Sequence, residues 1–89
     1  MKQQIKELAL KVHKLKPVVM IGNKGLTEAV QSEIDQALEH HELIKIRVAS
    51  QNREDRDAII DEVCTVQKAL LIKKIGHTFA IYRKKKPSE

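Results

Sequence analysis

The sequence has 89 residues, of which 42% are hydrophobic and 33% charged, so it is typical of one small globular domain and not of a disordered chain. Its 17 Lys and Arg outnumber its 12 Asp and Glu, and the net charge of +5 suits a polyanionic partner. The longest apolar run is too short to span a membrane, the N-terminal residues lack the apolar core of a secretory signal, and one cysteine allows no intrachain disulfide. We therefore expect a cytoplasmic protein without a membrane partner.

The charges are unevenly distributed along the chain. Residues 1–26 include six basic residues and one acidic residue, residues 27–62 include ten acidic and four basic residues, and residues 63–89 include seven basic residues and one acidic residue. Two basic ends around an acidic middle indicate a basic face presented to a polyanion. A solvated surface with scattered charges is the alternative, because segments of a sequence need not correspond to faces of a fold.

The first half of the chain predicts a helix, a strand and a second helix. Residues 2–14 have helical spacing of apolar residues, and Pro17 follows them. Val18 to Ile21 form a short apolar run that predicts a buried strand. A second helix is expected from about Thr27, whose side chain can cap the helix N-terminus.

The second half predicts a strand, a helix and a hairpin. Residues 43–49 alternate, with Lys45 and Arg47 on the polar face of the expected strand. A third helix is expected from about Arg53 to Gln67, and residues 69–75 and 79–83 read as two strands joined by a turn. The order α-β-α-β-α-β-β predicts an α/β (α+β) two-layer sandwich, a four-stranded mixed sheet with three helices.

The loop Gly22-Asn23-Lys24-Gly25 lies between the first predicted strand and the second helix. Backbone N–H groups at a helix N-terminus favour an anion, glycines allow close approach, and Lys24 adds a positive charge. The spacing fits neither a Walker loop nor a dinucleotide fingerprint. A G-x-x-G loop that grips an RNA backbone, as in KH domains, matches better, although a tight turn without a ligand has the same pattern.

The segment from Lys16 to Thr27, KPVVMIGNKGLT, resembles the signature of the CRM domain, named for chloroplast RNA splicing and ribosome maturation. The similarity continues, in order, through Glu33-Ile34, Ala37-Leu38, His41–Lys45, Arg53–Arg56, Ile75-Gly76 and Ile81–Arg83. A domain of this length standing alone is similar to the bacterial YhbY-type RNA-binding proteins. The resemblance implies a fold akin to the C-terminal domain of translation initiation factor three, and an RNA-binding function on precursors of the large ribosomal subunit.

These observations and the resemblance predict a non-enzymatic RNA-binding protein that contacts ribosomal RNA during ribosome assembly, without a cofactor or metal; they leave the oligomeric state open and favour a monomer. The domain is expected to span residues 1–84, with a basic flexible tail at 85–89. The main RNA-binding residues are expected to be Gly22, Asn23, Lys24, Gly25, Lys14 and Lys16, the two lysines lying beside the loop. Further RNA contacts are expected from Lys45, Arg47, Arg83 and Lys84. The alternative is a protein-interaction module that docks through acidic helix faces without touching RNA.

Three other groups of residues have simpler expected roles. Arg53 and Arg56 are expected to pair with the carboxylates that surround them on the third helix. The acidic residues of that helix are expected to form a solvated face, not a metal site. Cys64 is expected to be a structural thiol and not a nucleophile, because it lies on or beside an apolar stripe.

Overall fold

The computed structural model describes residues 2–84, with side chains from Lys6 onward. Its elements follow the predicted order: α1 (Lys2–Val12), β1 (Val19–Ile21), α2 (Glu28–His41), β2 (Leu43–Val48), α3 (Arg53–Gln67), β3 (Leu70–Ile75) and β4 (Thr78–Tyr82). The predicted tail at residues 85–89 lies outside the described residues. The mixed four-stranded sheet with three helices is confirmed.

Local signals set the ends of α2 and α3. The Thr27 hydroxyl accepts a hydrogen bond from the Val30 amide at 3.2 Å, and the Asn52 side chain accepts from the amides of Glu54 and Asp55. Such caps satisfy amides that have no partner within the helix. The caps therefore fix where each helix starts relative to the strand before it.

The sheet has the strand order β1-β2-β4-β3. β1 runs parallel to β2, with Met20 opposite Arg47, whereas β4 lies antiparallel to both β2 and β3. Consequently the loop after β1, the loop after β2 and the turn between β3 and β4 all lie at one edge of the sheet. The Ala49 amide donates to the Ile21 carbonyl at 2.9 Å, and the Val48 amide donates to the His77 carbonyl at 2.7 Å, which ties these loops together.

The sheet is covered by helices on both faces, so the predicted two layers are corrected to a sheet with helices on each side. The larger core joins α2 and α3 to one face, and its members include Ile34, Ile46, Val63 and Phe79. A smaller cluster joins α1 to the other face through Val12 and Ala80, among others. Because neighbouring residues of a strand point to opposite faces, Phe79 and Ala80 assign the two clusters to opposite sides.

Candidate nucleic-acid interface

The Gly22–Gly25 loop is a closed turn between β1 and α2. The Gly25 amide donates to the Gly22 carbonyl at 3.0 Å, and the Thr27 amide donates to the Gly25 carbonyl at 3.1 Å. Gly25 has a φ of 74°, whereas neither Asn23 nor Lys24 has a positive φ. The turn therefore holds Asn23 and Lys24 at its exposed tip, immediately before the capped start of α2.

The backbone conformation requires glycine at only one of the two glycine positions of the loop. Gly25 needs to be glycine, because its positive φ disfavours any residue with a Cβ. Gly22 has no positive φ, and a Cβ added there would meet nothing within 4 Å. The fold thus gives no reason for a glycine at position 22. Open space at that position leaves room for a ligand backbone to approach the chain closely.

Four side chains form an exposed stripe on the face of the sheet that α1 leaves partly uncovered. We call it the β1–β2 stripe: Val18, Met20, Lys45 and Arg47. Val18 is 51% exposed and Met20 61% exposed, which is unusual for apolar residues in or beside a sheet. The Val18 amide donates to the Lys45 carbonyl at 2.9 Å, so the stripe is held by the same pairing that holds β1 to β2.

A groove lies between α1 and β2 at the end of the stripe away from the loop. We call it the α1 groove; its volume is about 550 Å³ and it is lined by Leu8, Lys11, Lys14, Leu15, Lys16, Val18, His41, Glu42, Leu43, Ile44, Lys45 and Tyr82. Lys14 and Lys16 line this groove, whereas Gly22, Asn23 and Gly25 border a separate cleft. They precede β1 and the loop follows it, so the strand lies between the two lysines and the loop. The β1–β2 stripe connects the two places, and Lys45 belongs to both stripe and groove.

The sheet separates positive from negative charge. The face with α1 presents a set of exposed or half-buried cations that we call the basic face: Lys11, Lys14, Lys16, Lys45 and Arg47. The helices on the opposite face provide most of the carboxylates: Glu28, Glu33, Asp35, Glu39, Glu54, Asp55, Asp57, Asp61 and Glu62. The uneven charge along the sequence thus becomes an oriented charge in space.

Ion pairs within the protein involve cations on the helical side of the sheet. Within the described residues, no ion pair involves a side chain of the basic face or Lys24, although Lys73 lies 3.1 Å from the His13 ring on that side. On the helical side, by contrast, Lys74 pairs with Asp57 at 3.2 Å. An excess of cations over carboxylates on one face gives a positive potential that can attract a polyanion. The same cations can contact phosphates without first breaking a bond within the protein.

Arg83, one of the expected RNA contacts, is instead found bonded within the protein. Its guanidinium pairs with Asp35 at 3.0 Å and Glu39 at 3.1 Å, and donates to the backbone and side-chain oxygens of Gln67 at 3.2 Å. The side chain is only 18% exposed. Lys84 lies in the same surface depression as Asp35 and Glu39. Neither residue therefore belongs to the basic face.

Arg56 likewise has a role that the sequence did not indicate. Its guanidinium donates to the carbonyls of Ser50 and Gln51, both at 3.1 Å, instead of pairing with a helix carboxylate. These two hydrogen bonds hold the loop that follows β2. That loop, Asp55 and Gly22 border the same cleft. The stripe side of the loop carries Lys45 and Arg47, whereas the cleft side carries the Asp55 carboxylate, so the stripe side is the electrostatically better approach for a phosphate.

Three residues of the interface were not singled out from the sequence. Lys11 lies on α1 at the helical spacing that brings it to the groove beside Lys14, a signal that was visible in the sequence. The apolar run predicts that Val18 and Met20 are buried, whereas the structure leaves both of them exposed. The exposure of these two residues depends on how much of the sheet α1 covers, which the run itself does not specify.

Residues 2–84 give little support for metal binding, for a reactive thiol or for a membrane-spanning helix. No group of three or more His, Cys, Asp or Glu lies close enough to hold a metal ion within that range. Burial and the nearby Asp61 carboxylate raise the pKa of the Cys64 thiol, which lowers the fraction of reactive thiolate at neutral pH. None of the described helices has the length and apolar character needed to cross a membrane.

Comparison with known proteins finds relatives that are named as RNA-binding or probable RNA-binding proteins. An RNA-binding protein of Haemophilus influenzae is 49% identical over 88 residues, which cover 99% of this chain and 83% of that protein. A protein of Pseudomonas aeruginosa, named a probable RNA-binding protein, is 42% identical over 93% of this chain and 77% of its own length. The solution structure of a hypothetical protein from Staphylococcus aureus matches with a TM-score of 0.84 and 29% identity, covering 100% of this chain and 93% of that one.

The pattern that defines the CRS1/YhbY (CRM) domain matches residues 1–83, almost the whole sequence. The match includes α1, the loop at Gly22–Gly25 and the closing hairpin. The chain therefore belongs to the CRS1/YhbY (CRM) domain family.

Proposed function

We propose that this protein binds RNA through the Gly22–Gly25 loop and the basic face, and that its RNA is ribosomal RNA in precursors of the large ribosomal subunit. The observation that carries the proposal is the separation of charge by the sheet, with an excess of cations on the face that includes the β1–β2 stripe. Named RNA-binding relatives support RNA as the partner. The resemblance to ribosome-maturation domains supports the ribosomal target.

In this proposal the loop contacts the RNA backbone while the basic face follows it. The open space at Gly22 admits a sugar-phosphate backbone, and Lys24 at the tip neutralises a phosphate. Arg47 and Lys45 continue the positive surface along β2 towards Lys14 and Lys16. Phosphate contacts of this kind fix the register of an RNA and do not read its sequence, so recognition depends on RNA shape.

The protein acts in this account by binding and not by catalysis, in the cytoplasm and as a monomer. A shape-dependent RNA contact needs no nucleophile, base or metal, and the raised pKa of Cys64 opposes its use as a nucleophile. A role in ribosome assembly requires the compartment in which bacterial ribosomes are made. No step of the proposed contact needs a second copy of the chain.

The proposal is tested by comparing variants that lose the same charge at different places. Lys24→Ala and Lys14→Ala each remove one proposed phosphate contact, and Lys74→Ala removes a lysine on the helical side. For the first two, we expect weaker binding to a ribosomal RNA fragment, and a decrease of about one in the slope of log K against log salt. Lys74→Ala should leave the slope unchanged. Equal effects of all three variants would show that only net charge matters.

A second function is favoured by the acidic face of α2 and α3, which could dock a basic protein. Exposed carboxylates cover these helices, and Val66 among them is 56% exposed. Sedimentation with ribosomal precursor particles, before and after RNase and at two salt concentrations, separates the two functions. Loss of co-migration at high salt and after RNase is expected for RNA binding. Co-migration that survives RNase would instead support docking to protein, whatever its salt dependence, because contacts between exposed charges also weaken in salt.

A further inference from the structure

We propose that the α1 groove takes one unpaired nucleotide of the bound RNA, with the base against its apolar side chains and the phosphate at its lysines. This inference rests on the proposed RNA-binding function and adds a site to it. The loop and the stripe contact backbone in that function, whereas the groove would contact a base.

The shape and lining of the groove suit a ligand that is partly apolar and partly anionic. Its volume of about 550 Å³ lies within the range of about 300–1,000 Å³ typical of small-molecule sites. Apolar side chains line much of the groove, with the exposed Val18 at its mouth: Leu8, Leu15, Val18 and Leu43. Four lysines also line it and outnumber the carboxylate of Glu42 there: Lys11, Lys14, Lys16 and Lys45. A nucleotide combines a flat, weakly polar base with a charged phosphate and so complements both parts.

Tyr82 gives the groove one aromatic surface. It is half-buried at the end of β4 and lines the groove with Leu43, its partner in the sheet register. The scarcity of aromatic residues opposes binding in which several bases stack on rings, but a single ring suffices for a single base. No hydrogen bond to the Tyr82 hydroxyl is recorded from the described part of the chain, so this hydroxyl can bond to a base edge.

The position of the groove makes the nucleotide part of the same RNA. Lys45 lines both the groove and the β1–β2 stripe, and Val18 lies where the two meet. An RNA that follows the stripe from the loop therefore reaches the groove without leaving the basic face. A paired base is held within its helix, so only a bulged or single-stranded nucleotide can enter.

The test uses two RNA hairpins that differ by one bulged uridine in the stem, and two matched protein variants. Val18→Ser removes an apolar contact from the groove mouth, and Val66→Ser makes the same change on α3 at similar exposure, 56% against 51%. Wild-type protein should prefer the bulged hairpin. Val18→Ser should lose about three- to tenfold in affinity for that hairpin alone, an estimate from the apolar area removed. Val66→Ser should bind both hairpins as the wild type does.

Replacing the bulged uridine with 4-thiouridine locates the base by photocrosslinking. Crosslinks to residues 8–18, 41–45 or Tyr82 are expected. Equal affinity for the two hairpins, or crosslinks confined to residues 22–25, would overturn the groove proposal and leave this surface to another occupant, such as an acidic peptide. The RNA-binding proposal fails on a different result, namely Lys14→Ala and Lys24→Ala leaving the affinities for both hairpins unchanged.

Discussion

Replacing Arg83 with alanine should destabilise the fold while leaving RNA affinity nearly unchanged. Arg83 links the end of β4 to both helices of the acidic face through Asp35, Glu39 and Gln67. The two carboxylates are about half exposed, 55% and 47%, so each ion pair contributes about 0–1 kcal/mol. Gln67 is only 6% exposed, and losing a charged donor to its buried oxygens costs about 1–3 kcal/mol.

Together these contributions predict a loss of about 2 kcal/mol in the free energy of unfolding. For a domain of this size, that loss lowers Tm by roughly 10 °C. Urea unfolding followed by circular dichroism measures the change, and Lys84→Ala is the control, because Lys84 is adjacent and exposed. RNA affinity, measured well below Tm, should stay within about twofold of wild type. A variant with unchanged stability and a tenfold loss of affinity would refute this account of Arg83.

Other predictions concern the loop and the cysteine. Gly22→Ala should leave stability within about 0.5 kcal/mol of wild type, because a Cβ meets nothing there, yet it should weaken RNA binding measurably. Gly25→Ala should cost about 1–2 kcal/mol in unfolding experiments, because alanine is strained at a φ of 74°; equal stability of the two variants would contradict the difference in backbone geometry. Cys64 should react slowly with a thiol reagent at pH 7 and faster as pH rises, because its pKa is raised; rapid labelling of folded protein at pH 7 would disprove this.

Much of the fold could be predicted from the sequence, because each element carries its own local signal. Thr27 caps α2 as expected, and α3 spans the predicted Arg53–Gln67. The alternation in residues 43–49 correctly assigns Lys45 and Arg47 to the face opposite the main core. The location of the loop between a strand and a helix also follows directly from the order of elements.

The sequence patterns do not predict how the elements pack against one another. Helical spacing identifies the apolar side of α1 but not the face of the sheet that it covers, so the third layer was missed. β1 lies extended between Lys16 and Gly22, so these residues lie beyond opposite ends of the strand. Arg83 resembled the start of a basic tail, and only the packing of α2 and α3 reveals its carboxylate partners.

The most direct test of the account is an NMR titration of the isotope-labelled protein with a ribosomal RNA fragment. Because the basic face and the acidic face lie on opposite sides of the sheet, the perturbed amides identify the bound face. We predict the largest chemical-shift changes at residues 11–25 and 43–49, with smaller changes in the middle of α2 and α3. Changes concentrated on α2 and α3, with residues 11–25 unaffected, would contradict the proposal that RNA lies on the basic face.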